Sequence, residues 1–202
     1  MVVWYSRRRE APMSHASAPI APSKLAHFVL RTRRYEELIA WYRTVLGAKP
    51  VFESPSITFL TWDAEHHRIA IANAPHFKDR PDDAVGVDHI AVTLPTAVDL
   101  LRTYERLREL GIEPATPIHH GLTLSMYYLD PDKNEIELQV DAFDTEAELE
   151  AYFGSGQFRS NPIGVLYDPE TLLARWKAGA GEKELRAPIA GPPPSSNPFP
   201  PH

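Results

Sequence analysis

An internal repeat constrains the fold of this chain more than any other feature. Residues 24–30 and 86–92 each place a histidine, His27 or His89, near the start of a run with strand character. In each copy an amphipathic segment follows and ends at a glycine, Gly47 or Gly111, at a similar interval from the histidine. Such self-similarity indicates two copies of one supersecondary unit, each too small to bury its sheet alone. We therefore expect two like modules packed against each other.

Each module is predicted to be β-α-β-β-β, which gives an α+β fold class. The helices are predicted from apolar residues at spacings of three and four, and the strands from short β-branched and aromatic runs between turn residues. For module 1 we predict a strand at 24–30, a helix at 35–46 and strands at 49–53, 57–62 and 68–73. For module 2 we predict a strand at 87–93, a helix at 96–110 and strands near 113–118, 122–129 and 135–140.

The flanking segments differ in composition from the two modules. We predict a flexible N-terminal tail at 1–22, a two-module domain at 23–143 (module 1 about 23–75, module 2 about 86–141), a C-terminal helical extension at 144–186 and a proline-rich tail at 187–202. In the extension, Thr145 with Glu148 is typical of a capping box, and Asp168 before Pro169 is typical of a helix start.

Composition excludes several classes of function. The chain has 202 residues with a net charge of −6, so it offers no basic surface for nucleic acid. No apolar run is long enough for a membrane-spanning helix. Cysteine is absent, which excludes disulfides, thiolate metal sites and a cysteine nucleophile. These features favour a cytoplasmic protein whose strong metal ligands are histidine and carboxylate.

Three residues of the repeat have the chemistry of an open metal site. His27 and His89 occupy matching first-strand positions, and Glu137 lies on the last strand of module 2 after the turn at 130–134. When the last strands of the two modules are aligned, Ala70 is the residue equivalent to Glu137. Three of the four symmetric ligand positions are therefore filled. Two histidines and one carboxylate are the ligands of Fe(II) sites that leave positions free for substrate and O2.

The chain resembles the vicinal oxygen chelate superfamily and, within it, the small type I extradiol ring-cleaving dioxygenases, which open catechols or 2,3-dihydroxybiphenyls. The segments that carry the resemblance are 25–27, 63–70, 87–91, 119–121 and 125–137. The resemblance covers roughly residues 23–143. It implies two tandem βαβββ modules with C-terminal helices, an Fe(II) cofactor with Mn(II) as an alternative, and a small aromatic diol and O2 as substrates.

The resemblance also implies roles for single residues. The metal ligands would be His27, His89 and Glu137. His67 matches an acid/base histidine beside the oxygen-binding position. His120 matches a histidine that hydrogen-bonds a substrate oxygen, and Tyr127 matches a tyrosine near the same oxygen. We expect the neighbouring residues, His66 and His119, to be solvated loop histidines.

Two departures from the family pattern are visible. The usual glycine of the turn before the ligand glutamate is Lys133 here, which suggests a different turn conformation. Larger family members carry four modules for one metal, whereas this chain has two, so we expect a homo-oligomer in which a second chain completes the pocket.

Two other functions remain open. The first is a glyoxalase-like or epimerase-like isomerase or lyase of the same superfamily, which usually has a fourth ligand where this chain has Ala70. The second is a metal-free small-molecule-binding protein of the drug-sequestering type, which would not be expected to keep His27, His89 and Glu137 together.

Overall fold

The computed structural model describes residues 19–81 and 84–195, and these form two mixed sheets with helices between and beside them. The first sheet has the strand order β1-β4-β3-β2 and the second the order β5-β8-β7-β6-β9. The strands are β1 (Phe28–Thr32), β2 (Lys49–Glu53), β3 (Ile57–Thr61), β4 (Ile69–Asn73), β5 (His89–Thr93), β6 (Thr116–His119), β7 (Thr123–Leu129), β8 (Glu135–Asp141) and β9 (Val165–Leu166). The helices are α1 (Tyr35–Leu46), α2 (Ala97–Glu109), α3 (Glu146–Gly154), α4 (Gln157–Ser160), α5 (Pro169–Lys177) and α6 (Glu182–Leu185). The predicted α+β class and the order of elements within both modules are confirmed.

The pairing registers show that the two modules are built alike. In module 1 the first strand runs parallel to the last, and Val29 pairs with Ala70. In module 2 the equivalent parallel pair joins Ala91 to Glu137. Val29 and Ala91 each lie two residues after the repeated histidine, so the structure confirms that Ala70 is the counterpart of Glu137.

The helices α1 and α2 pack in a single apolar core. Leu38 and Tyr42 of α1 and Leu100 and Leu107 of α2 are essentially inaccessible to solvent and belong to one cluster. The same cluster contains alternate residues of the strands, such as Ile136 of β8. Because successive strand residues point to opposite faces, the residues between them lie on the other face of each sheet, which we call the open face.

Helix ends follow the sequence closely, whereas some strand ends do not. Helix α1 has the predicted bounds and ends at Gly47, whose φ of 64° is readily adopted only by glycine. Strand β1, predicted at 24–30, is formed by Phe28–Thr32, because its partner β4 begins only at Ile69. A strand is defined by its partner, which local composition does not specify.

The C-terminal extension contains both predicted helices and three further elements. The capping box at Thr145 opens α3, and Asp168 caps α5. The short elements α4, β9 and α6 were not predicted, since two to four residues are too few to show a periodic pattern. Strand β9 pairs with β6 and so joins the extension to the second sheet. The outer parts of the two predicted tails, at 1–18 and 196–202, lie outside the described residues.

The turn before Glu137 is organised by a buried aspartate. Asp130 accepts hydrogen bonds from the backbone N–H groups of Asp132 and Asn134 and from the hydroxyl of Tyr42 in α1. Lys133 has a φ of 63°, the left-handed region that favours glycine. The lysine therefore takes a backbone conformation that glycine adopts without strain, and a difference from the family's turn stays a prediction.

A candidate metal centre in two halves

The first half of the candidate site lies on the open face of the second sheet. His89 begins β5 and Glu137 lies in β8, the adjacent parallel strand. The Nε2 atom of His89 lies 3.3 Å from Oε2 of Glu137. The Nδ1–H of His89 donates to Oδ2 of Asp88 at 2.8 Å. A carboxylate that holds the far nitrogen of a histidine fixes the ring orientation, as is usual around metal-binding histidines.

In this half His89 and Glu137 shift the pKa of each other. The hydrogen bond between His89 and Glu137 raises the pKa of His89 to about 9. Asp88 also raises this pKa, whereas burial lowers it. Burial alone would raise the pKa of Glu137, but hydrogen bonds from His89 and Ser125 outweigh it, and the pKa is lowered. The buried carboxylate is therefore ionised and faces a protonated imidazole, and a divalent cation can take the place of the proton on Nε2 of His89.

Tyr127 and His120 extend this half along the sheet. Tyr127 pairs with Glu137 across β7 and β8, and its ring packs edge-on against that of His89 with centroids 5.1 Å apart. The Nε2 atom of His120 lies 3.0 Å from the hydroxyl of Tyr127. Burial, followed by the charge of Glu137, raises the pKa of the Tyr127 hydroxyl, which keeps its proton. Four of the predicted site residues thus lie together.

The second half lies on the first sheet and contains the other two predicted residues. The ring of His27, just before β1, lies 4.2 Å from that of His67, between centroids. His67 also stacks on Phe59 of β3 at 4.5 Å. Burial, with the nearby charges of His27 and His66, lowers the pKa of His67 and favours its neutral form. His27 and Trp62 line a cavity of about 220 Å³ whose far wall is formed by residues 90–93 of β5.

The structure does not bring all three predicted ligands together within one chain. Within residues 19–81 and 84–195, the one group of three acidic or histidine side chains whose donor atoms all lie within 4.8 Å of one another is Asp88, His89 and Glu135. His27 is not in it. The predicted set is therefore divided, with His89 and Glu137 in one half and His27 in the other.

Sequence reasoning missed Asp88 and misjudged His119. Asp88 was visible as the residue directly before the repeated histidine, but its role depends on the side-chain direction at the start of β5. His119, expected to be a solvated loop residue, is 1% exposed at the end of β6. This expectation is wrong because the C-terminal extension covers the histidine, and the carbonyl of Arg186 lies 3.0 Å from its Nε2.

No helix in the described part of the chain has the length and apolar character needed to cross a membrane.

Comparison with solved structures supports the fold described above. A glyoxalase/dioxygenase from Nostoc punctiforme is similar with a TM-score of 0.53 at 17% identity, over 62% of this chain and 98% of that one.

Sequence comparison identifies closer relatives. The biphenyl-2,3-diol 1,2-dioxygenase 2 of Rhodococcus globerulus is 46% identical over 79% of this chain and 84% of the relative. The biphenyl-2,3-diol 1,2-dioxygenase 3 of the same organism is 44% identical over 80% of this chain and 86% of the relative. Residues 24–138 match the family described as the Glyoxalase/Bleomycin resistance protein/Dioxygenase superfamily, and the chain belongs to that family.

Proposed function

We propose that this protein is an extradiol dioxygenase that inserts O2 into a catechol-type diol of the biphenyl-2,3-diol kind and opens its ring. The observation that carries the proposal is the pairing of His89 Nε2 with Glu137 Oε2 on an open sheet face, beside Tyr127 and His120. The relatives named above, at 44–46% identity over most of their length, support the same reaction class.

The donor set suits Fe(II). Imidazole nitrogen and carboxylate oxygen with free coordination positions are typical of non-haem iron oxygenases, and Ala70 supplies no fourth side-chain ligand. His89 and Glu137 would hold the metal, with Asp88 fixing the imidazole and His27 as the third ligand. The metal would supply the site at which the diol and O2 are brought together.

The side chains around that position would handle protons and orientation. His120 and Tyr127 would hydrogen-bond a diol oxygen, since the imidazole nitrogen and the hydroxyl lie 3.0 Å apart and Tyr127 pairs with Glu137 on the same face of the sheet. A neutral His67 would accept or return a proton beside His27, because its lowered pKa leaves the ring unprotonated near neutrality.

Because the predicted ligands lie in two separate halves of the chain, we propose that the active form is a homo-oligomer. Each copy carries one half with His27 and His67 and another with His89 and Glu137. A two-fold axis that sets the first sheet of one copy against the second sheet of another would complete two identical sites. On the open face of the first sheet Val29 is 54% exposed and Phe52 50% exposed, and a second copy would bury both.

The reaction is tested by reconstituting the protein with Fe(II) under anaerobic conditions and measuring O2 uptake with catechol, 3-methylcatechol and 2,3-dihydroxybiphenyl. We expect one O2 consumed per yellow ring-opened product, and loss of both signals in His89→Ala. Metal binding without O2 uptake for any diol would contradict the dioxygenase and favour an isomerase of the same family. Absence of metal binding would contradict the ligand set.

The shared site is tested by mixing two inactive variants. His27→Ala and His89→Ala damage different halves, so a mixed dimer would contain one doubly damaged site and one intact site. After random exchange of subunits, we expect about one quarter of wild-type activity. A site contained in one chain would show no recovery, because each copy would still carry one damaged ligand.

We also propose a cytoplasmic location, which a sequence without cysteine favours.

A further inference from the structure

Two adjacent histidines at the end of β6 are held in opposite ways by backbone groups. Nδ1 of His119 accepts the N–H of Gly121 at 2.9 Å. Its Nε2 lies 3.0 Å from the carbonyl oxygen of Arg186, which can only accept, so the proton of His119 is on Nε2. Burial lowers the pKa of His119 and keeps this ring neutral.

The next ring has the reverse arrangement. Nδ1 of His120 lies 2.6 Å from the carbonyl oxygen of Ile163 in the loop between α4 and β9. A carbonyl oxygen carries no proton, so Nδ1 of His120 must donate. In the neutral ring Nε2 then has a lone pair, and this nitrogen faces the hydroxyl of Tyr127.

The Ile163 carbonyl is held in place by a tightly bonded turn. The side chain of Asn161 accepts the N–H of Gly164 at 2.9 Å and donates to the Gly164 carbonyl at 2.8 Å. It also donates to the carbonyl of Gly191 at 3.1 Å, which ties the turn to the segment after α6.

Gly164 allows this turn to approach the histidines closely. Its φ is 112°, and a Cβ placed there would lie 2.5 Å from the His119 carbonyl oxygen and 2.9 Å from Cα of His120. Any other residue would force the turn away from β6. The contact is therefore available only with glycine at this position.

We propose that the turn 161–164 of the C-terminal extension is a positioning element that fixes His120 with its proton on Nδ1 and its lone pair on Nε2. Asn161 and Gly164 are positioning residues, since they act through the Ile163 carbonyl. The inference about the tautomer stands on the structure alone, and its consequence for the reaction rests on the proposed function.

The consequence concerns proton transfer from a diol. In the structure this nitrogen faces the Tyr127 hydroxyl, so a substrate hydroxyl that takes the place of that hydroxyl would find an acceptor nitrogen already in place. The O–H bond would break, the electron pair would stay on the oxygen, and the proton would go to Nε2. The resulting imidazolium would keep its Nδ1–H bond to the Ile163 carbonyl, which stabilises the added charge.

The experiment is long-range ¹H–¹⁵N NMR of the histidine rings in ¹⁵N-labelled, metal-free protein, with His119 and His120 assigned from His119→Gln and His120→Gln. Protonated and unprotonated ring nitrogens resonate far apart. We expect His120 to be protonated on Nδ1 only and His119 on Nε2 only. Gly164→Ala and Asn161→Ala should both turn the His120 signals into an average of the two tautomers.

Gly179→Ala is the matched control. Gly179 also has a positive φ, 99°, in the same extension, but nothing lies within 4 Å of a Cβ built there. It should cost stability without changing the His120 signals. With Fe(II) and a diol, Gly164→Ala should lower kcat by up to about 100-fold, as expected for a misplaced group, with iron affinity unchanged.

Three results would overturn the proposal. The first is a His120 ring protonated on Nε2, or on both nitrogens, in the wild type near neutral pH. The second is an unchanged His120 spectrum in Asn161→Ala, a milder change to use if Gly164→Ala does not fold. The third is the same spectral change in Gly179→Ala. Because the spectra need neither iron nor diol, failure of the dioxygenase assignment would leave this test intact.

Discussion

The open faces of the two modules have the same backbone and very different side chains. The row across the first sheet, set by the pairing registers, reads Val29, Ala70, Phe59 and Phe52. The corresponding row across the second sheet reads Ala91, Glu137, Tyr127 and Thr116. The repeat has therefore preserved the scaffold and the histidine while only one copy has the carboxylate. The two modules can share a scaffold and differ in chemistry because the open-face side chains lie outside the core cluster.

The largest expected effect comes from making the two rows alike. In Ala70→Glu a carboxylate takes the position equivalent to Glu137, and in the proposed shared site it would become a fourth side-chain ligand. We expect iron to bind and O2 uptake to be abolished, because a coordination position needed by the substrates is filled. The measurement combines iron content with O2 consumption.

Ala70→Gln is the control for size at that buried position. It should bind iron and keep more activity than Ala70→Glu, since an amide is a much weaker ligand. Equal activity in Ala70→Glu and the wild type would show that Ala70 does not face the metal.

A smaller effect is expected from Asp88, which has no acidic counterpart before His27. Asp88→Asn removes the charge that orients His89, so we expect metal affinity to fall about 10-fold to 100-fold while the fold is retained. Isothermal titration with Fe(II) under anaerobic conditions, or with Mn(II), measures the change. The equivalent module 1 change, Ala26→Asn, should leave affinity close to wild type.

From the ion pair between His89 and Glu137 we also predict that the stability of the metal-free protein depends on pH. The pKa of His89 is about 9 when folded and about 6.5 when unfolded. Its contribution is therefore complete below about pH 6.5 and is lost as the pH rises through about 9. Thermal unfolding between pH 6 and 10 should show a falling midpoint. His89→Gln should flatten the curve, and an equally steep fall in that variant would assign the effect to other groups.

The smallest expected effect concerns the turn at Lys133. A non-glycine residue at a φ of 63° is strained by about 1 kcal/mol, and glycine relieves the strain but gains freedom in the unfolded chain. We expect Lys133→Gly to raise the free energy of unfolding by about 0.5 kcal/mol. Denaturant unfolding of metal-free protein measures it, and a loss of stability would mean that the lysine side chain stabilises the turn.

Prediction from sequence succeeded where the information is local or repeated. The bounds of α1 follow from its apolar spacing and from Gly47, and the α3 capping box follows from the types of Thr145 and Glu148. The match of Ala70 with Glu137 follows from the repeat. Prediction from sequence failed for His119, whose burial depends on a segment more than 60 residues away. It also failed for the short elements α4, β9 and α6.

The sequence by itself determined the two-module α+β fold and the family, because periodicity, caps and the repeated histidine are written in the order of residues. It also predicted which residues would form the ligand set, His27, His89 and Glu137. The tertiary structure decided how those three residues are distributed, with His89 and Glu137 on the second sheet and His27 beside the first. It also decided the partners of His89 and His120, since the hydrogen bonds that they donate to Asp88 and to the Ile163 carbonyl depend on the directions of side chains and loops that meet only after folding.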